Sequence, residues 1–394
     1  MSQKAHLVML LAQSSYFCPT RIVMGSGSYK QLDGILADFA ARKVLLTIDP
    51  ALVETAFVAD VLEMLRKAGA GFEIFSNIEP DPSDTSVAEA LDLSRALGSE
   101  LVLAIGGGST IDVAKAVAIV STNGGRIHDY EGIEKFSVPP LPLIAVPTTA
   151  GTGSEVSGSC VISDTQRGLK MSIRHASLNP ARVAILDPLA LRTVPTTVAA
   201  HSGLDAFVHA FESYISRNAN PFTDAVNLHA LRLISANIGP LVANPENAEA
   251  ALAMLTGSAL AGMAFGQTGL GNVHCMARFV GAKYHIPHGL SNALCLPVVA
   301  RFNAIANPAK YVEIARAMGC HVEGLSQTDG AQAAVVAIQD LCAELGIPRH
   351  LADVGVKKEH IPELAELCVR AGYNRWNPRT TSKRDFERLF AEGL

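Results

Sequence analysis

Between residues 43 and 186 the sequence alternates short apolar runs with amphipathic stretches, and no other feature limits the possible folds so strongly. Residues 43–49, 101–105, 141–146 and 183–186 read as buried strands, whereas 53–68, 84–97 and about 110–120 carry helical spacing. A strand covered on both faces reads as a continuous apolar run, and intervening helices make its neighbours parallel. The expectation is an α/β, Rossmann-like N-terminal domain. Beyond about residue 190 the spacing becomes helical, at 198–213, 223–239 and 246–265, with breaks expected at Pro221, Pro240, Pro287 and Pro308. The predicted organisation is therefore an α/β domain at 1–190 and an all-α domain at 191–394, a division that also suits the length.

Composition narrows the function. The chain is 49% hydrophobic and 18% charged, which fits a packed core rather than disorder. Its net charge of −5 and lack of basic runs exclude nucleic acid as a partner. The 7 cysteines are scattered and include no Cys-x-x-Cys, which argues against a disulfide framework or zinc ribbon and for a reducing, cytoplasmic setting. No apolar run approaches the roughly 20 residues of a membrane helix, so no membrane partner is expected. Lys4 followed by the apolar stretch 6–12 faintly resembles a signal peptide, but the stretch is short and lacks a cleavage site.

Two loops carry donor chemistry. Ile105-Gly-Gly-Gly-Ser-Thr-Ile-Asp-Val-Ala-Lys115 joins a strand to a helix; its glycines let amides approach an anion at the helix's positive end. The same residues also read as a capping box, with Ser109 as N-cap and Asp112 three residues on, and both readings can hold. Lys115 is misplaced for a Walker A loop. Pro147-Thr-Thr-Ala-Gly-Thr-Gly-Ser-Glu155 offers hydroxyls and amides without positive charge, which suits a pyrophosphate or ribose. Asp49, at a strand's carboxyl end, either accepts from a ribose and repels a 2′-phosphate, favouring NAD over NADP, or caps a turn.

Asp205 and His209 lie at i and i+4, on one helical face. His274 and His288 follow, and three imidazoles with one carboxylate suit Zn²⁺ or Fe²⁺ better than Mg²⁺ or Ca²⁺. Spacing alone does not say that these four meet.

Taken together, Gly106-Gly-Gly-Ser-Thr-Ile-Asp112, the 147–155 loop, Gly203-Leu-Asp-Ala-Phe-Val-His-Ala-Phe-Glu212, Gly271-Asn-Val-His274, Pro287-His-Gly289 and Asn377-Pro-Arg379 resemble the iron-containing (group III) alcohol dehydrogenases. The branch is that of lactaldehyde reductase and the iron-dependent ethanol dehydrogenase. The resemblance implies a dehydroquinate synthase-like architecture with a cleft between the domains and a homodimer or larger homo-oligomer. It implies Asp205, His209, His274 and His288 as ligands of Fe²⁺ or Zn²⁺. Asp49, Gly107, Gly108, Ser109, Thr148, Thr149 and Lys170 become NAD contacts, and Phe265 a substrate contact. The metal would serve as a Lewis acid toward a small primary alcohol or aldehyde during hydride transfer.

Departures from the pattern bear on substrate. Where that branch has a second histidine one turn after the third ligand, this chain has Arg278, which cannot relay a proton near neutral pH. His285 or solvent must then do so. Asp81 stands between Pro80 and Pro82 where Asn is common, and Tyr373-Asn-Arg-Trp376 replaces small residues. Arg278 and Arg375 suit a substrate with an anionic group; Arg278 equally suits the cofactor phosphates or an acidic partner. The alternative reading is a dehydroquinate synthase-like NAD- and metal-dependent lyase, and a third is a metal-storing protein without a reaction.

Overall fold

A computed structural model of the protein describes residues 14–394, so the apolar stretch at 6–12 lies outside the described residues. Two compact units are formed, one by Phe17–Val194 with Pro245–Leu255, the other containing Pro195–Asn244 and Thr256–Leu394. The division falls at Pro195 rather than near 190. The segment Pro245–Leu255 joins the first unit, where Glu246 pairs with Arg192 at 3.0 Å.

In the first unit β1 (Arg21–Met24), β2 (Lys43–Ile48), β3 (Gly71–Phe75), β4 (Leu101–Gly106), β6 (Leu143–Pro147) and β9 (Val183–Leu186) form a parallel sheet ordered β1-β9-β6-β4-β2-β3. Every residue of β4, β6 and β9 is buried, which is why these strands read as apolar runs. The edge strands β1 and β3 are half exposed and mix polar with apolar residues, so periodicity missed them. From β2 the chain moves outward to β3, then returns across β2 to β4 and continues to β6 and β9. The direction reverses between β2 and β4. At such a switch point the loops leaving the carboxyl ends diverge and open a crevice for a ligand. Asp49 follows β2 and Gly107 follows β4.

Helices α1 (Leu32–Asp38), α2 (Ala56–Lys67), α3 (Asp84–Leu97) and α4 (Gly108–Asn123) connect these strands. Helix α2 starts later than the spacing indicated because Pro50–Leu52 forms a 3₁₀ turn and Thr55 caps at Val58 N, 3.3 Å. Helix α4 is buried on nearly all sides from Thr110 to Val120 and mostly apolar there. A smaller sheet, β5 (Gly132–Ile133), β7 (Ser159–Asp164) and β8 (Leu169–Arg174), explains this. Its Cys160, Ile162, Met171 and Ile173 share one buried core with Ile111, Ala114 and Val117 of α4 and with Val102 and Ala145 of the main sheet. A helix sandwiched between two apolar layers has no polar face to spare.

The second unit is helical, with no strand among its described residues. It contains α5 (Thr196–Ile215), α6 (Pro221–Ala243), most of α7 (Ala248–Thr268), α8 (Asn272–Tyr284), α9 (His288–Ala304), α10 (Pro308–Ala317), α11 (Gln327–Glu344), α12 (Ile361–Arg370) and α13 (Lys383–Gly393). Pro221 and Pro308 sit at helix starts and Pro287 is an N-cap, where a missing N–H costs nothing. Pro240 does not break α6. It lies near the end of that helix, where one lost hydrogen bond is tolerated. By length and composition α7 could cross a membrane, contrary to the estimate from apolar runs, but 61% of its apolar window is buried inside the protein.

Candidate metal centre and cofactor loops

Helix α5 carries Asp205, His209 and Glu212 at i, i+4 and i+7, one face of the helix, and all three are buried. Pro287 starts α9 so that His288 is its first residue, and Gly271 starts α8 so that His274 lies in its first turn. The donor atoms of Asp205, His209 and His274 all lie within 4.8 Å of one another. His288 Nε2 is 3.7 Å from Asp205 Oδ1, and its side chain is 47% exposed, leaving the cluster one open flank. His209 stacks between Phe265 and His274, with ring centroids 4.4 and 4.6 Å away. The structure thus brings together the four sequence-predicted donors and Phe265.

Sequence reasoning missed two residues here. Asn292, one turn beyond His288 on α9, is fully buried; its Nδ2 donates to Asp205 Oδ1 at 2.7 Å and lies 3.2 Å from both His274 Nε2 and His288 Nε2. Three electron-pair donors thus converge on one point, while Asn292 Oδ1 is buried without a partner. That convergence of a carboxylate and imidazoles fits a borderline divalent cation. Glu212 is the second, with Oε2 2.8 Å from His274 Nδ1. Helical spacing from Asp205 and from His288 was the available signal for both.

Burial opposes ionisation of Asp205, but the charges of His209 and His288 and the His274 bond outweigh it and hold the carboxyl well below its usual range. Burial likewise works against charge on His274, yet its bonds to Asp205 and Glu212 push it up to about 9.

In the first unit the glycine loop and the 147–155 loop are set by close packing. A Cβ on Gly106 would meet Thr110 Oγ1 at 2.4 Å, one on Gly107 Thr149 Oγ1 at 3.2 Å, and one on Gly108 Thr152 Cγ2 at 2.7 Å. The glycines therefore let the 147–155 loop lie directly on the start of α4. The N-cap is Gly107, without a side-chain cap, and not Ser109. Asp112 forms no capping box, because its carboxylate is engaged across the layer by Ser154 Oγ at 2.7 Å and Val161 N at 2.9 Å. Lys115, 1% exposed, ties the same loop down by donating to Ser154 Oγ, Ser157 O and Ser159 O at 3.1, 2.9 and 2.7 Å. Burial pushes Glu155 up to about 7, against the lowering pull of its own backbone amide and Lys115.

Asp49 caps the following turn, accepting from Ala51 N at 3.0 Å. Lys170 pairs with Asp81 at 2.5 Å, and Asp81 holds a left-handed φ of 58°. An open cavity of about 240 Å³ borders Thr148 and is lined by Leu52, Phe57, Leu189 and Arg192 among others. Arg278, His285 and Arg375 are exposed and do not join the hydrogen bonds around Asp205. His285 closes α8 with φ 56°, and the Arg375 guanidinium lies 4.7 Å from the Trp376 ring centre.

A parallel sheet with a glycine loop at its switch point, and a helical unit with a buried carboxylate–imidazole cluster, are what an enzyme using a dinucleotide and a metal requires. Comparison with known proteins agrees. A family model described as iron-containing alcohol dehydrogenase matches residues 19–188, and one for the C-terminal part of the Fe-containing alcohol dehydrogenase family matches 199–394. A 1,3-propanediol dehydrogenase of Citrobacter freundii is 40% identical over 98% of both chains. An NAD-dependent methanol dehydrogenase of Bacillus methanolicus is 37% identical over 97% of this chain and 100% of its own. The crystal structure of a 1,3-propanediol oxidoreductase superposes with a TM-score of 0.94 at 39% identity, covering 97% of this chain and 100% of that one. The chain belongs to the iron-containing alcohol dehydrogenase family. It is an NAD-dependent, metal-containing oxidoreductase, which sets the lyase reading aside.

Proposed function

We propose that the protein interconverts a small primary alcohol and its aldehyde, with NAD(H) bound by the α/β unit and a divalent cation held by Asp205, His209, His274 and His288. The observation that carries this is the convergence of donor atoms from α5, α8 and α9 on one point beside the Asp205 carboxylate. A cation bound there supplies Lewis-acid polarisation of the substrate oxygen. The chain's own residues do the rest. Phe265, stacked on His209, gives the cluster an apolar wall that fits a short carbon chain and limits water. The amides at Gly107 and Gly108, with Ser109, Thr148 and Thr149, suit the pyrophosphate, and the cavity beside Thr148 is roomy enough for a flat base. Asp49 and Lys170, the latter held by Asp81, are assigned to the ribose hydroxyls.

His285 at the end of α8 is the proposed proton relay to solvent, given its exposure. Arg278 lies one turn beyond His274 on the same helix and is exposed, which favours a substrate with an anionic end; Arg375 is assigned the same role. We place the protein in the cytoplasm, where a reducing compartment would keep its seven cysteines as the free thiols they are, and assign it a homodimer or larger assembly on the family resemblance alone. NADH consumption by the Fe²⁺-loaded chain tests the reading across short aldehydes with and without a carboxylate or sulfonate. Turnover in proportion to aldehyde is expected. No turnover with any of them, metal and NADH both bound, overturns it, and equal kcat/KM for Arg278→Ala and wild type on the acidic aldehydes overturns the anionic preference.

A further inference from the structure

Glu212 is 2% exposed, and among the described residues no Lys or Arg pairs with it to account for its burial. Both of its oxygens are committed instead to the start of α8. Oε1 accepts from Val273 N at 2.6 Å, and Oε2 accepts from His274 N at 3.4 Å and faces His274 Nδ1 at 2.8 Å. The carboxylate is held in place from behind, because Gly271 leaves room that a Cβ would close, 3.0 Å from Oε1. Its negative charge also lies at the positive end of α8.

An ionised carboxylate only accepts hydrogen bonds, so Nδ1 must carry the ring proton. A cation bound beside Asp205 Oδ1, which lies 3.6 Å from Nε2, would displace the proton from that nitrogen alone and meet its lone pair near the point where Asn292 Nδ2 sits. We propose that Glu212 is a positioning residue that fixes the tautomer and ring direction of His274, so that Nε2 meets the cation without reorganisation. This rests on the reading of the cluster as a metal centre.

Glutamine is the informative replacement because it keeps the shape and reverses one contact. The Val273 amide cannot change its hydrogen, so the glutamine oxygen stays with it and the –NH₂ group turns to Nδ1. That forces the ring proton onto Nε2, the wrong nitrogen. Alanine removes the bias without imposing the wrong tautomer. The ranking therefore separates positioning from packing: a merely structural Glu212 makes alanine the worse variant, whereas tautomer control makes Glu212→Gln the worse one.

The test is Co²⁺ binding to the full-length chain, read by chelator competition and by the d–d absorption bands, with NAD⁺ affinity measured in parallel. Expected are one Co²⁺ per wild-type chain, an affinity about 10–100-fold weaker in Glu212→Gln with altered bands, a smaller loss in Glu212→Ala, and unchanged NAD⁺ binding. Wild-type affinity and bands in Glu212→Gln overturn the positioning role alone, as does a larger loss in Glu212→Ala. If Glu212→Ala does not fold, the isosteric Glu212→Gln decides. A wild-type chain that takes up no Co²⁺ overturns the metal reading and this role with it.

Discussion

The loops at the carboxyl edge of the α/β sheet and the cluster in the helical unit are built from different material. The loops are shaped by what is missing: glycines that leave amides bare and allow Thr149 and Thr152 to pack within about 3 Å of where a Cβ would stand. The cluster is shaped by what is present, four side chains from three helices and two buried residues hydrogen-bonded to them. The difference teaches that a backbone-built site is contiguous in sequence and fails by crowding. A side-chain-built site is scattered and fails by deletion. Each kind of damage should stay on its own side.

The sharpest attack on that separation is at the cluster. His274→Ala should lower kcat by about 1000-fold, since Lewis-acid polarisation supplies several kcal/mol. NAD⁺ affinity, measured by fluorescence titration, should stay at the wild-type level; a parallel fall would show that the two sites are one cooperative structure. The mirror experiment is Gly108→Val. Its Cβ would meet Thr152 Cγ2 at 2.7 Å, and overpacking of about 1–3 kcal/mol corresponds to roughly 5- to 150-fold weaker NAD⁺ binding. Bound metal, counted by elemental analysis, should be unchanged.

A smaller effect sharpens the assignment of Asp49. Removing its charge in Asp49→Ala should shift the NAD⁺-to-NADP⁺ preference by about tenfold toward NADP⁺, because the repulsion of a 2′-phosphate disappears. An unaltered ratio of kcat/KM for the two cofactors would leave Asp49 as a turn cap only. The smallest effect concerns the stability of the α/β unit. The folded pKa of Glu155 is raised to about 7 from 4.5, so its contribution is complete below pH 4.5 and is lost as pH rises through 7. Glu155→Gln should therefore flatten the decline of Tm across that window. A decline as steep as in the wild type would mean that Glu155 ionises freely.

The same contrast governs what could be read from the sequence. Helix α3 was legible to the residue because local chemistry ends it: Ser83 caps Ser86 N at 3.1 Å, and Gly98 takes the left-handed φ of 68°. The glycine loop was visible for the same reason, though Ser109 was misread as its cap. The capping pattern of Ser109 and Asp112 is local, but the competing bonds from Ser154 and Val161 are not. Edge strands β1 and β3 lacked a signal because only one side of each is buried. The convergence of His274 and His288 on Asp205 depends on how α5, α8 and α9 pack, which no spacing encodes. Resemblance to a family supplied it, whereas Glu212 and Asn292 carried only their helical spacing from Asp205 and His288, a signal that names a face but no partner.

Anomalous diffraction at the iron absorption edge, from crystals of anaerobically Fe²⁺-loaded protein, tests the central claim most directly. The account predicts one strong peak per chain, within bonding distance of the Asp205 carboxylate and of imidazole nitrogens of His209, His274 and His288. A peak elsewhere, or none in protein that turns over aldehyde, would contradict it.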